Sequence, residues 1–131
     1  MSYRDLMVLR GDYVLPVEPD VVPVADGAGQ VVALGPGVTA VRVGERVAGT
    51  VFPSWQDGPF GLRHLPQLGG SLDGMLTELA LVDETALVHV HLSFEEAVTL
   101  PCAAVTAWNA LTGDGHGLRP GQSSKVAHAP L

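Results

Sequence analysis

A single cysteine, Cys102, stands among the 131 residues, so no internal disulfide can close and no multi-thiolate zinc cluster can assemble. A chain this poor in thiol suits a reducing cytoplasm, and that is the compartment expected. Basic residues are also few: 7 Lys+Arg face 14 Asp+Glu, for a formal net charge of −7. A grip on nucleic acid or anionic lipid needs a basic face, so neither partner is expected. The apolar runs fall far short of a membrane span, and the opening Met1-Ser2-Tyr3-Arg4-Asp5 has no signal-peptide character.

What is present is apolar. Hydrophobic residues make up 47% of the chain, which predicts surface meant for a partner domain or subunit, a homodimer among the options. The length fits one domain, able to bury about two thirds of its unfolded surface. From Gly27 to Val51, β-branched runs at Val31–Val32 and Val47–Val51 flank turns at Gly35-Pro36-Gly37 and Val43-Gly44-Glu45. Strand, turn, connector, turn, strand is the reading, as in a small barrel or sandwich. A phosphate cradle at Gly35-x-Gly37 would need a helix to follow, and Val38 to Val43 leads only to another turn.

Tyr3 to Arg10 places Leu6, Met7 and Leu9 near one face, with Gly11 as a C-terminal stop: a short helix. Pro16, Pro19 and Pro23 make the next stretch an ordered loop. Phe52 to Gly74 is too long for a connector and too apolar for disorder, and is expected to pack as a lobe. Leu76–Val82 and Leu87–Val90 read as strands. Ser93-Phe94-Glu95-Glu96 fits a capping box for a helix over Ala97–Leu100, and a second helix over Cys102–Leu111 follows Pro101 and ends by Gly113. His89-x-His91 shares one side of a strand but has no evident third ligand, so surface histidines are expected there.

The succession Tyr3-Arg4-Asp5-Leu6, Asp26-Gly27-Ala28-Gly29, Val43-Gly44-Glu45-Arg46-Val47, Gly69-Gly70 with Gly74, Leu92-Ser93-Phe94-Glu95-Glu96-Ala97, Leu100-Pro101-Cys102-Ala103-Ala104 with Thr106-Ala107-Trp108, and Leu118-Arg119-Pro120-Gly121 resembles the GroES-like catalytic domain of medium-chain dehydrogenase/reductases. Within that superfamily it resembles the zinc-free alcohol dehydrogenase and quinone oxidoreductase branch. The resemblance implies a mainly β fold with short helices, a GroES-like β-barrel, over residues 1–121, with 122–131 an irregular tail. It also implies that the N-terminal hairpin and the Rossmann domain with its glycine fingerprint are missing from this chain.

Zinc-dependent members use Cys, His and Cys at the positions of Ser2, Ala25 and Cys102, so one ligand of three survives; no metal is expected. Cys102 is expected to be a small buried residue, since nothing near it in sequence would lower its pKa. By resemblance, Thr106 contacts the nicotinamide ring, Tyr13 lies near a substrate carbonyl or enoyl group, and Tyr3 lines the same cleft; a helix threonine satisfied locally and tyrosines packed on the barrel are the plainer alternatives. The family uses NAD(P) for hydride transfer to or from an alcohol, ketone, quinone or enoyl compound. This chain alone is expected to bind none and to be inactive. A stand-alone GroES-like interaction module is the second reading.

Overall fold

The computed structural model describes residues 1–113, 117 and 121. The Leu118-Arg119-Pro120 part of the last motif, the tail after Gly121, His116 and His128 lie outside the described residues. The chain opens with helix α1, Tyr3–Arg10, which ends at Gly11 with φ 77°. That left-handed turn is cheap only for glycine, and the Gly11 N–H donates to the Val8 carbonyl at 3.1 Å. The proline-rich loop follows as expected, and three strands then form one antiparallel sheet in the order β1 (Ala28–Gln30), β2 (Arg46–Gly49), β3 (Leu87–His89).

In the register, Gly29 faces Val47, and Ala48 sits between Ala28 and Val88. The sheet is open rather than a closed barrel. Closure needs edge strands that meet, and the segment expected as the strand Leu76–Val82 is not one. Leu76, Leu79 and Leu81 point into solvent, and among the described residues no backbone N–H of 77–82 finds a backbone acceptor. Alternating polarity alone cannot make a strand without a neighbour to pair with. The first strand also lies earlier than Val31–Val32, although the Val31 N–H still donates to the Glu45 carbonyl at 2.9 Å as the ladder opens into its connector. The second stops at Gly49 rather than Val51.

Small residues build the core: Val8, Val24, Ala25, Val41, Val47, Ala48, Val51, Leu68, Ala86 and Ala97 are all buried. Segment 52–74 packs as a lobe with its own aromatic cluster, Phe60 meeting Phe52 and Trp55 edge-on at 5.1 and 5.2 Å between ring centroids. Its far end is stitched to the rest at Gly69, whose φ is 62° and where a Cβ would come within 2.7 Å of the Val24 backbone. Between the sheet and residues 75–82 runs an apolar cleft of about 680 Å³, lined by Val31, Val41, Val47, Met75, Val82 and Leu87 among others.

Helix α2 spans Phe94–Ala97, three residues earlier than expected. Its capping box is formed, with Ser93 Oγ accepting from the Glu96 N–H (3.2 Å) and the Ser93 N–H donating to Glu96 Oε2 (3.0 Å). Helix starts are set by that cap, and the ring of Pro101 precludes an uninterrupted run. The chain instead passes through one wide π turn over Leu100–Ala104 before α3, Val105–Thr112. His89 and His91 are both exposed; His89 lies 3.6 Å from a Glu45 carboxylate oxygen.

Candidate active site

The N-terminus of α1 gathers most of the buried charge. Asp5, only 1% exposed, accepts from the Ser2 N–H (2.7 Å), the Ser2 hydroxyl (3.3 Å), the Ala25 N–H (3.1 Å) and Arg4 Nη1 (3.5 Å). A buried carboxylate is tolerated only when hydrogen-bonded or paired, and this one is both. The Ala25 N–H reaches it because Val24 adopts φ 75°. A β-branched residue in the left-handed region is strained, and here the surrounding backbone holds it: the Met75 N–H donates to the Val24 carbonyl at 2.7 Å, and Gly69 leaves room for the Val24 peptide.

Beside Asp5 lie Asp26 and Cys102. Burial, then the charge of Asp5, pushes the Asp26 carboxyl above its ordinary pKa, against a hydrogen bond from the Cys102 backbone and the pull of the N-terminus and Arg4. Burial, then the charge of Asp26, likewise pushes the Cys102 thiol up, with Arg4 and a Ser2 hydrogen bond opposing. The shift favours the neutral thiol, but Cys102 is half-buried rather than the buried residue expected, because none of the Leu100–Ala104 turn is fully covered.

Arg4 joins this cluster to Tyr13. Its Nε donates to the phenol oxygen at 3.1 Å and its guanidinium lies over the ring, 4.7 Å from the centroid. The phenol in turn donates to Gln67 Oε1 at 3.2 Å, linking α1 to the 52–74 lobe. Tyr13 is half-buried, so it combines a fixed position with access from solvent. Tyr3, also half-buried, opens α1 between Ser2 and Arg4. Thr106 is exposed on α3, and its hydroxyl donates to the Cys102 carbonyl at 2.7 Å.

The structure therefore draws together Ser2, Cys102 and the Ala25–Asp26 corner, with Tyr13 attached through Arg4. Those positions do not suit a zinc ion. Ala25 offers no donor side chain, Ser2 stands where a thiolate would be needed, and among the described residues no group of three or more His, Cys, Asp or Glu side chains could hold a metal. A dinucleotide's phosphates fare no better, since Gly35-Pro36-Gly37 is exposed and followed by coil. Arg4, Asp5, Asp26 and Gln67 carry no assigned role at the level of sequence. Arg4 with Val8, one helical turn apart on a buried face, is the one available signal; nothing local marks Val24.

A family model described as the alcohol dehydrogenase GroES-like domain matches residues 1–92. A zinc-type alcohol dehydrogenase-like protein of Schizosaccharomyces pombe is 42% identical over 130 residues, an alignment covering 96% of this chain and 38% of that one. A solved structure from Sinorhizobium meliloti 1021, assigned to the alcohol dehydrogenases, superposes with a TM-score of 0.78 at 40% identity, over 88% of this chain and 36% of that one. A thermostable alcohol dehydrogenase from Pyrobaculum aerophilum superposes with a TM-score of 0.69 at 28% identity, over 82% and 35%. The chain thus spans well under half the length of these proteins.

Proposed function

The chain belongs to the alcohol dehydrogenase GroES-like domain family, and from that premise we propose that residues 1–121 are the substrate-side domain of a zinc-independent, NAD(P)-dependent oxidoreductase of the cytoplasm acting on a small alcohol, ketone, quinone or enoyl compound. The observation that carries this reading is the half-buried Tyr13 phenol, oriented by Arg4, whose neighbour Asp5 binds Ser2 and Ala25. The zinc in the name of the Schizosaccharomyces pombe relative is not transferred, because the donor set here does not fit one.

A bound nicotinamide supplies or takes the hydride. The protein's own part is to hold the substrate oxygen and meet the charge that develops on it. A phenol fixed by a guanidinium can do so as hydrogen-bond or proton donor, while Thr106, on the helix that follows Cys102, would be the residue to contact a bound nicotinamide. No step runs through a metal. Among the described residues no cradle forms for the cofactor's phosphates, and the chain held by itself should be inactive; saturable NADH or NADPH oxidation by the purified 131 residues would overturn that. Spliced in place of the equivalent domain of the Schizosaccharomyces pombe relative, residues 1–121 should support NAD(P)H-dependent reduction, and Tyr13→Phe should slow it about 10²-fold or more. An unchanged rate would remove Tyr13 from the chemistry.

A second reading, a GroES-like module that dimerises without catalysis, is favoured by one observation. Helix α3 buries none of its residues, and Val105 and Trp108 are 57% and 71% exposed. Light scattering separates the two, since a discrete dimer without nucleotide affinity supports the module.

A further inference from the structure

The single O–H of Tyr13 is already committed. Its oxygen accepts from Arg4 Nε, and its proton is donated to Gln67 Oε1. Gln67 is held firmly enough to keep that position. It is fully buried, its Nε2 donates to the Pro16 carbonyl at 3.4 Å, and its backbone N–H donates to Ser71 Oγ at 3.1 Å. A substrate oxygen can receive the phenolic hydrogen only by taking it from this amide.

We propose that Gln67 is a positioning residue acting through Tyr13: its side-chain carbonyl holds the Tyr13 hydrogen bond against neutral carbonyl ligands and surrenders it to an oxygen that is gaining negative charge. This rests on the reading of Tyr13 given above. An amide oxygen and a ketone oxygen are comparable neutral acceptors, so exchange between them gains little. A developing oxyanion makes a hydrogen bond roughly twice as strong, so exchange becomes favourable as the reaction proceeds. Interaction withheld from the bound carbonyl and granted in the transition state raises turnover rather than affinity. Arg4, 9% exposed and stacked on the ring, keeps the phenol oxygen in place during the exchange.

The test uses the 131-residue chain with ¹³C-labelled tyrosine rings, the Tyr13 signal being assigned through Tyr13→Phe. Cyclohexanone serves as the neutral carbonyl probe. Removing the internal competitor with Gln67→Met, which keeps the side chain's length, should tighten cyclohexanone binding by about two- to tenfold. That range corresponds to one neutral hydrogen bond of about 0.5–1.5 kcal/mol. Gln67→Asn, which withdraws the amide by one carbon, should tighten it too and serves should the Met variant not fold by circular dichroism. A glutamine that only props the lobe would give the opposite sign, because its loss would loosen the site. Binding equal to or weaker than wild type in the folded variants overturns this inference alone. If cyclohexanone moves the Tyr13 signal in none of the proteins, the reading of Tyr13 as a substrate contact fails and this inference falls with it.

Discussion

Helices α1 and α3 are both eight residues long, and they are treated in opposite ways. Helix α1 carries three charged residues and buries two of them, Arg4 and Asp5, along with Val8. Helix α3 carries no charge, is the more apolar of the two, and buries nothing. Burial here follows the partners available rather than hydrophobicity. Arg4 and Asp5 are surrounded by hydrogen-bonding groups from 2, 13 and 25, whereas the apolar side of α3 meets no comparable set among the described residues. The buried ionic cluster sits on the helix whose surroundings are complete.

The sharpest way to break that contrast is to remove the hub under α1. Asp5→Ala removes the buried acceptor of Arg4 Nη1 and of the Ala25 N–H, and breaking a buried pair from one side costs about 3–5 kcal/mol. The urea midpoint should fall steeply, and a change below about 1 kcal/mol would mean that the network is not holding the helix. A smaller, pH-dependent effect belongs to Asp26. Its folded-state pKa is raised, so the stability it contributes is fully present below the ordinary carboxylate range and is lost as pH climbs through the raised value. Asp26→Asn, which cannot ionise, should therefore gain on wild type from acid toward neutral pH; urea midpoints that run parallel across that range would refute the assignment. The smallest effect is expected on α3. Trp108→Ser should alter stability by no more than about 0.5 kcal/mol, since the ring buries little. The same substitution should reduce self-association in light scattering if that exposed face is an adhesive one.

Local signals were legible wherever one residue sets the geometry. Gly11 ends α1 where its neighbours stop, Ser93 and Glu96 cap α2, and Leu87–His89 is a strand because β2 is there to receive it. What depends on remote partners was not legible. Leu76–Val82 has a strand's alternation but no neighbour to pair with. The bonding of Tyr13 to Gln67 joins positions 54 apart in sequence, a distance across which no periodicity speaks. Val24 in a left-handed conformation contradicts its own intrinsic preference and is explained only by remote groups: the Asp5 acceptor, the Met75 N–H and the space at Gly69. For the site, the family pattern nominated Tyr13, Tyr3 and Thr106 and marked Ser2, Ala25 and Cys102 as positions that no longer form a zinc site, whereas the charges of Arg4 and Asp5 that tie Tyr13, Ser2 and Ala25 together emerge only when α1 is packed.

Strand β2 is hydrogen-bonded on both sides, and β1 and β3 are not paired with each other. The sheet thus has a keystone and no redundancy: were its middle to slip by one residue, both outer ladders would lose register together. Hydrogen exchange at 28–30, 46–49 and 87–89 should then report one shared opening event, so that these three segments, far apart in the chain, melt as a single cooperative unit.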